Sequence, residues 1–323
     1  MVRSIELVGT GGVEQLQPAR RPLPAPGEGE LRVRHAAAGV NFIDIYYRTG
    51  LYPLSLPTVL GVEGAGVVEA VGDGVRGFAP GDRVAYAGAP MGGYAEARNL
   101  PASRAIKLPD DVDTRVAAAA MLRGLTVQML LRGPRPATPG STILVHAAAG
   151  GLGQLLTRWA KRMDLTVIGT VSSEAKAQVA RAAGAEHVIV GRDADFVALA
   201  LALTGGRGVD VAYDGLGGDY LRKTFDAVAP FGMVVNVGQA AGPVPPVVVA
   251  DLSKRALALW RPSVMAYVMD VPRYRAAAAD LLEALGRGDL TVEIGGEYAL
   301  EDAGKAHADL EAGRTTGSLL LIP

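Results

Sequence analysis

The fold is decided by one short stretch, His146-Ala147-Ala148-Ala149-Gly150-Gly151-Leu152-Gly153. It matches the Gly-x-Gly-x-x-Gly dinucleotide-binding fingerprint, with Ala148 in place of the first glycine. In such a turn Gly150 lets the backbone approach a pyrophosphate, and Gly153 lets the next helix pack closely on the preceding strand. The N-terminus of that helix offers amide groups and a partial positive charge to the phosphates. The residues predicted to bind the cofactor here are Gly150, Gly151, Leu152 and Gly153.

Apolar strands and helices alternate on both sides of this turn. The predicted strands are Thr142–His146, Thr166–Thr170, His187–Val190, Val209–Asp214, Met233–Val237 and Leu257–Trp260. Helices are predicted at about Leu152–Met163, Glu174–Ala183 and Asp195–Leu203. Strands that are apolar throughout and are followed by helices are typical of a parallel sheet buried on both faces. We therefore predict an α/β fold that contains a doubly wound, Rossmann-like domain.

A different kind of sequence flanks this domain. Up to about Asp113, short β-type runs alternate with Gly- and Pro-containing turns, which predicts an antiparallel, barrel-like domain. The predicted strands are Glu30–Arg34, Gly66–Val71, Arg83–Tyr86 and Tyr94–Arg98, and the long helices are Thr114–Leu131 and Val271–Arg287. The apolar tail Gly317–Ile322 has no Rossmann strand left to pair with, so we expect it to return to the first domain. The predicted domains are residues 1–120 with 262–323, and residues 121–261.

The end of the second Rossmann strand indicates which dinucleotide is bound. Enzymes specific for NAD usually place an acidic residue there to hold the ribose 2′-hydroxyl, and no acid ends this strand. Ser172, Ser173, Lys176 and Arg192 offer instead the hydroxyls and cations that a 2′-phosphate needs. These residues predict NADPH. Two points favour the opposite interpretation: Ser173 could simply cap the helix with Lys176 in solvent, and an acid, Glu174, lies next to them.

Composition excludes several classes of protein. The chain has 32 basic and 33 acidic residues, a net charge of −1, which gives no overall field to attract nucleic acid or an acidic membrane. Cysteine is absent, which excludes disulfides and thiol catalysis. The N-terminus lacks the pattern of a signal peptide, and no apolar run approaches the ~20 residues of a membrane helix. We expect a cytoplasmic protein with no nucleic-acid or membrane partner.

Several further stretches carry a family resemblance that runs from end to end of the chain. They are Gly39-Val40-Asn41-Phe42-Ile43-Asp44, Arg48-Thr49-Gly50-Leu51-Tyr52-Pro53, Gly61-Val62-Glu63-Gly64-Ala65-Gly66, Gly124-Leu125-Thr126-Val127 and the tail Gly317–Pro323. With the glycine-rich turn, they resemble the quinone oxidoreductase (ζ-crystallin-like) branch of the medium-chain dehydrogenase/reductases. The resemblance implies a GroES-like catalytic domain, NADPH as cofactor, and a homodimer formed near Leu257–Trp260.

The resemblance also bears on metal content. In the zinc-dependent members of the superfamily a Cys and a His hold the catalytic zinc, and here Asn41 and Val62 stand at those positions. Neither an amide nor valine is a serviceable zinc ligand, and the four histidines are scattered over different elements. We therefore expect no metal, and a hydride acceptor that needs no Lewis acid, such as a quinone or an activated alkene.

The residues that the resemblance implies for the catalytic site are Asn41, Tyr46, Tyr52 and Thr126. In the family context Asn41 either donates to a developing oxyanion or orients the nicotinamide ribose, and the tyrosines stack on the acceptor or donate a hydroxyl. The plain alternative is that Asn41 and Asp44 cap a helix beginning at Phe42. The resemblance also implies Asn41, Phe42 and Arg314 for the cofactor. Gly215, Val237, Gly238 and Gln239 follow two later strands at the carboxyl edge, where Rossmann sheets bind ligands, and the backbone at Gly238 and Gln239 is expected to hold the carboxamide.

Two positions of the chain bear on the resemblance, Gly191 and Arg123. Near relatives have a tyrosine where Gly191 follows the third strand. Two outcomes are open: looser binding of the adenine end, or a larger share of the phosphate binding for Arg192. Arg123, near the position of a third zinc ligand, is expected to contact phosphate or Asp44.

Two other functions compete with quinone reduction. The first competing function is reduction of an α,β-unsaturated carbonyl or thioester at the same site. The second, of another class, is a low-turnover NADPH-binding protein with a structural or RNA-binding role.

Overall fold

A computed structural model describes all 323 residues of the chain. The strands are β1 (Val2–Leu7), β2 (Leu16–Arg21), β3 (Glu30–Val40), β4 (Thr58–Val59), β5 (Glu63–Val71), β6 (Arg83–Ala87), β7 (Ala97–Pro101), β8 (Ile106–Lys107), β9 (Thr142–Val145), β10 (Thr166–Val171), β11 (His187–Val190), β12 (Val209–Asp214), β13 (Val228–Asn236), β14 (Ala258–Trp260), β15 (Ile294–Ala299) and β16 (Ser318–Ile322). The α-helices are α1 (Phe42–Arg48), α2 (Thr114–Leu131), α3 (Gly151–Arg162), α4 (Glu174–Ala182), α5 (Phe196–Leu203), α6 (Gly218–Ala227), α7 (Val249–Ser253), α8 (Val264–Met269), α9 (Val271–Gly286) and α10 (Ala303–Glu311). Short 3₁₀ helices occupy Val13–Gln15, Ala102–Arg104 and Leu300–Asp302.

The chain divides into two compact units. The first consists of Met1–Leu125 and Val264–Pro323, and the second is the intervening segment Thr126–Ser263. The second unit is therefore inserted between two parts of the first. The predicted α/β fold class is confirmed. None of the helices combines the length and the apolar character needed to span a membrane.

The inserted unit contains a six-stranded parallel sheet in the order β11-β10-β9-β12-β13-β14. This is the strand order of a Rossmann fold, in which ligands bind at the carboxyl edge where the order reverses, between β9 and β12. Apolar side chains such as Leu144, Ile168 and Val234 are fully buried in its core. Most of the strands predicted for this unit agree with the observed ones to within two residues. The exception is β13, which begins at Val228 instead of Met233.

The early start of β13 has a local cause. Pro230 and Gly232 suggest a turn in the sequence, yet the chain continues along the sheet through a register shift opposite Val209 and Val211. Phe231, between them, takes a left-handed backbone conformation, with φ of 64°. Pattern reasoning treats a Pro-x-Gly sequence as a break, whereas here it forms an irregularity inside one strand.

The first unit is built mostly on antiparallel pairing, and its one parallel pair of strands is β15 with β16. Its larger sheet runs β15-β16-β3-β5-β6-β8, with β7 also paired to β3, and a smaller sheet has the order β2-β1-β4. The C-terminal strand β16 pairs with the end of β3, where Leu320 lies opposite Gly39. The prediction that the tail returns to the first domain is confirmed.

One strand prediction in this unit is wrong. The sequence pattern predicts a strand over Tyr94–Arg98, but β7 occupies Ala97–Pro101. Tyr94 is fully buried, and its backbone N–H donates to Leu60 O at 2.9 Å. The alternation of residue types around Tyr94 therefore reflects a buried loop that leads into the strand.

Candidate active site

The glycine-rich turn has the geometry that its fingerprint predicts. It links β9 to α3, whose N-cap is Gly150. A Cβ built on Gly153 would lie 2.5 Å from Ala147 O and 2.8 Å from Ala148 Cα, so only glycine fits where the helix meets the turn. A Cβ on Gly150 would approach only Ala147 O, at 3.3 Å. Close packing therefore explains Gly153, while Gly150 leaves open space at the helix N-terminus.

The alanine in the first glycine position is accommodated by a glycine on the neighbouring strand. Ala148 is fully buried, and its N–H donates to Thr170 O at 3.1 Å. A Cβ built on Gly169 of β10 would lie 2.7 Å from Ala148 Cβ. Gly169 thus provides the room that the fingerprint glycine provides elsewhere. The sequence alone does not indicate this pairing across strands.

Two cationic side chains, Lys176 and Arg192, lie near each other beyond the end of β10. Ser173 caps α4, because its Oγ accepts from Lys176 N at 3.4 Å, as the plain alternative proposed. Lys176, however, is half-buried, and its burial together with the nearby Arg192 guanidinium lowers its pKa below the ordinary lysine value. The acid next to them, Glu174, forms an ion pair with Arg181 at 2.7 Å. Two like charges held close together favour an anion as their partner.

The loop that carries Arg192 is held by a hydrogen bond from helix α6 of the same unit. Gly191, directly before Arg192, takes φ of 117°, a backbone conformation that favours glycine. The hydroxyl of Tyr220, on α6, donates to Arg192 O at 2.9 Å. Tyr220 was missed by sequence reasoning, because nothing in the sequence signals a contact between α6 and this loop.

The carboxyl ends of β12 and β13 are tied together by buried polar groups. Asp214 accepts hydrogen bonds from Leu216 N at 2.8 Å and Gly217 N at 3.1 Å. The amide nitrogen of Asn236 donates to Asp214 at 3.1 Å and to Gly238 O at 2.9 Å. In addition, Val237 N donates to Asp214 O at 2.7 Å, so these bonds fix the backbone at Val237 and Gly238 and beside Gly215 and Gln239, the four residues expected to contact the cofactor.

In the first unit, Asn41 lies between β3 and α1 and is held on two sides. Its backbone N–H donates to the Asp44 carboxylate at 2.9 Å, which caps the helix beginning at Phe42. Its side-chain Nδ2 donates to Glu63 Oε1 at 2.7 Å. The expectation that Asn41 and Asp44 cap this helix is therefore confirmed, and the cap is accompanied by a second bond that the sequence did not indicate.

Glu63 is a fully buried carboxylate with three donors. Besides Asn41, it accepts from Leu122 N at 2.7 Å and from the Arg123 guanidinium at 3.2 Å. Burial raises the pKa of Glu63, and the three donors oppose that shift. Arg123 was expected to contact phosphate or Asp44, but its ion-pair partner is Glu63. A buried guanidinium needs a partner on the spot, and Glu63 supplies it.

Asp44 belongs to a second buried polar chain. Its Oδ2 accepts from the Tyr94 hydroxyl at 3.0 Å, and the same hydroxyl lies 3.0 Å from His307 Nε2. Because Tyr94 has one proton, His307 must donate to Tyr94 whenever Tyr94 donates to Asp44. Burial raises the pKa of Asp44 to about 7 and lowers that of His307 to about 3.

Aromatic side chains form a cluster on and beside α1. The rings of Phe42 and Tyr46 are 6.3 Å apart, and those of Tyr46 and Tyr52 are 5.4 Å apart in an edge-on arrangement. All three side chains are partly exposed. The structure therefore brings together the two tyrosines and the phenylalanine expected at the site.

Two more of the predicted site residues are Thr126 and Arg314. Thr126 is buried on α2, three residues beyond Arg123. Arg314 is largely exposed just before β16, and its Nε donates to Asp309 at 3.0 Å. Nowhere do three or more His, Cys, Asp or Glu side chains form a group that could hold a metal ion.

Comparison with known proteins identifies the family. Residues 27–110 match the alcohol dehydrogenase GroES-like domain, and residues 183–321 match the zinc-binding dehydrogenase family. A quinone oxidoreductase of Pseudomonas aeruginosa is 44% identical over 325 residues, which cover 100% of both chains. The chain belongs to the quinone oxidoreductase family. The resemblance and its implied GroES-like and Rossmann domains are thereby confirmed.

Two other relatives of this chain have names that mention a cofactor or an acceptor. The structure of Escherichia coli quinone oxidoreductase complexed with NADPH has a TM-score of 0.96 and 40% identity, covering 99% of this chain and 100% of that one. A 2-haloacrylate reductase of Burkholderia sp. is 38% identical over 331 residues, covering 100% of this chain and 99% of the relative.

Proposed function

We propose that this protein is an NADPH-dependent quinone reductase. The observation that carries the proposal is the pair of neighbouring cations, Lys176 and Arg192, in the same Rossmann unit as a glycine-rich turn whose Gly153 tolerates no side chain. The pair suits a 2′-phosphate, and the turn suits a pyrophosphate. The NADPH complex of the Escherichia coli relative supports this choice of cofactor.

The residues present fit NADPH along its length. The turn Gly150–Gly153 would hold the pyrophosphate, while Ser172, Ser173, Lys176 and Arg192 would hold the 2′-phosphate. The backbone at Gly238 and Gln239 would hold the carboxamide. Further cofactor contacts would come from Gly215, Val237, Asn41, Phe42 and Arg314. When bound, the cofactor supplies the hydride (or electrons) that the acceptor receives.

The first unit supplies most of the groups proposed to act on the acceptor. The Tyr46 and Tyr52 rings offer a partly exposed aromatic surface suited to a planar quinone, and their hydroxyls offer hydrogen bonds. Asn41, and Thr126 at the start of the inserted unit, complete the proposed set. Their task is to position the acceptor and to stabilise the oxygen that gains charge.

We propose that the reaction requires no zinc. Asn41 stands where zinc enzymes have a cysteine, and its amide nitrogen is engaged as a donor to Glu63. Val62, at the histidine position, is a fully buried apolar side chain. Valine offers no lone pair to a metal ion, and an amide oxygen is not among the nitrogen, thiolate and carboxylate ligands that zinc sites use.

The domain boundaries, location and assembly are part of the same proposal. Residues 1–120 with 262–323 would form the catalytic domain, and residues 121–261 the NADPH-binding domain. The protein would work in the cytoplasm as a homodimer formed near Leu257–Trp260, without nucleic-acid or membrane partners. Size-exclusion chromatography with light scattering tests the dimer directly.

Steady-state oxidation of NADPH and NADH tests the function, with 1,4-benzoquinone, 9,10-phenanthrenequinone and 1-octen-3-one as parallel acceptors. We expect turnover of the quinones with a clear preference for NADPH. Turnover of the enone alone would move the protein to the double-bond reductases, the reaction type to which the 2-haloacrylate reductase relative points. Tight NADPH binding without turnover of any acceptor would favour the low-turnover binding role.

A further inference from the structure

The bond between Asn41 and Glu63 sits in a space made for it. Glu63 is the first residue of β5, and its side chain is fully shielded from solvent. A Cβ built on Gly39, near the end of β3, would lie 2.1 Å from Glu63 Oε1. Any larger residue at position 39 would displace the carboxylate from Asn41. Gly39, on β3 two residues before Asn41, therefore leaves the space that the Glu63 carboxylate occupies.

The charge in this space is balanced. Arg123 donates to Glu63 at 3.2 Å and also to Val40 O at 2.7 Å, the carbonyl directly before Asn41. Leu122 N, from the same helix, donates to the other carboxylate oxygen at 2.7 Å. Three donors around one buried carboxylate favour its ionised form, which can only accept hydrogen bonds.

An acceptor-only partner decides which way the Asn41 amide faces. Next to an ionised carboxylate, the NH₂ end of the amide is attracted and the C=O end is repelled. The side chain therefore cannot turn over. The Asn41 side chain also accepts from the Asp44 backbone in the cap of α1, which favours the same orientation and leaves one lone pair of Oδ1 for a bound molecule.

We propose that Glu63 is a positioning residue that, paired with Arg123, holds the amino end of Asn41 inward so that Asn41 serves the reaction as a hydrogen-bond acceptor through Oδ1. It would then orient a hydroxyl donor, such as a ribose hydroxyl of the cofactor, and would not donate to a developing oxyanion. The inference rests on the proposed function, because it assigns a role within that site.

Reversal of the hydrogen bond tests the proposal. In the double variant N41D/E63Q, the amide introduced at position 63 donates to the carboxylate introduced at position 41, an oxygen remains in place of Oδ1, and the net charge beside Arg123 equals that of the wild type. N41D alone sets two carboxylates against each other, and we expect kcat/KM to fall roughly 100-fold. N41D/E63Q should regain at least about 10-fold of that loss. The matched control is E69Q, an exposed glutamate on the same strand, which should leave kcat/KM unchanged.

Three further measurements separate the outcomes. Melting temperatures establish that each variant is folded, and if N41D does not fold, the double variant is compared with E63Q, which it should exceed in kcat/KM. A folded double variant without recovery would overturn the proposal, because a donor role of Asn41 is lost once a carboxylate replaces its amide. N41D should also regain activity as pH falls, since one shared proton restores the bond. If the wild type binds NADPH but reduces no quinone, the proposed function fails, and the same comparison is made on the NADPH dissociation constant.

Discussion

The two units place their charged side chains in opposite environments. In the first unit, Glu63 and Asp44 are fully buried carboxylates whose partners, Arg123 and Tyr94, are buried beside them. In the inserted unit, Lys176 is a half-buried cation and Arg192 an exposed one, and the two lie close enough to repel each other. The buried carboxylates have their donors within the protein, whereas two neighbouring cations favour an added anion.

This difference separates two kinds of consequence. Loss of one partner from a buried, balanced group leaves an unpaired charge in a medium of low polarity, so stability and activity fall together. Loss of Lys176 or Arg192 removes a repulsion between the two cations in the free protein and an attraction to the anion in the complex with the cofactor. Mutations in the two units are therefore expected to leave different signatures, and the predictions below test that distinction.

The largest effect is expected for removal of the cation pair. In K176A/R192A the dissociation constant for NADPH should rise about 100-fold, because two charge-assisted contacts to the 2′-phosphate are lost. The constant for NADH and the melting temperature should hardly change. Fluorescence titration of both nucleotides measures this. R181A, an exposed arginine on the same helix α4, is the control, and an equal loss for NADH would contradict the 2′-phosphate assignment.

A smaller effect is expected where Ala148 meets Gly169. G169A places a methyl group 2.7 Å from the Ala148 methyl, so the free energy of unfolding should fall by about 1–3 kcal/mol. A148G/G169A moves the methyl group from the glycine-rich turn to β10 and should recover most of that loss. Urea denaturation of the single and double variants gives the comparison. Additive losses in the double variant would show that the two positions do not share this space.

The pH dependence of stability should reveal the buried charge of the first unit. The pKa of Asp44 is raised to about 7, so between pH ~4 and ~7 the folded state holds a proton that the unfolded state has released. Stability is therefore lost as pH rises through that window, by at most about 1.4 kcal/mol per pH unit. His35, with its pKa lowered to about 4, acts in the opposite direction and loses stability as pH falls below ~6.5.

The variant D44N isolates the aspartate. Relative to the wild type, its melting temperature should gain steadily as pH is raised from 5 to 7, because an amide at position 44 does not titrate. Thermal unfolding at half-unit pH steps measures the difference. D73N, an exposed site in the same unit, is the control. A constant difference between D44N and wild type across this range would show that Asp44 remains ionised throughout.

The smallest effect is expected for Y52F. The ring keeps its edge-on contact with Tyr46, 5.4 Å away, and only the hydroxyl is lost. If Tyr52 acts mainly through its ring, kcat should fall no more than about 3-fold, less than the loss of one hydrogen bond to a charged group. Y52A, which removes the ring, should raise the quinone KM further than Y52F does. Equal losses in both variants would transfer the role to the hydroxyl.

What the sequence predicted well follows from periodicity and turn chemistry. The parallel strands are continuous apolar runs, and the glycine-rich turn combines a strand, close packing and a helix in one contiguous segment. The return of the tail to the first unit followed by elimination. These features depend on residues close in sequence or on a simple count of available strands.

What it missed depends on contacts between distant segments. Glu63 lies in an apolar, glycine-containing run, and nothing local reveals that Asn41 and Arg123 converge on it. The space that Gly39 and Gly169 leave for a side chain on another segment is likewise visible only in three dimensions. The one sequence signal available for Glu63 was a lone acid beside buried valines and glycines, where an unpaired charge would be costly.

The insertion of one unit into the other has a consequence for the order of events during synthesis. The strand β16, which pairs with β3 and contributes the fully buried Leu319, Leu320 and Leu321, leaves the ribosome after the whole of the inserted unit. The inserted unit is complete at Ser263 and can form its core while the chain grows. The sheet that supports Asn41 must instead wait with an open edge until β16 has been made. A nascent chain that stalls before residue 318 would therefore combine a folded inserted unit with an unfinished first unit.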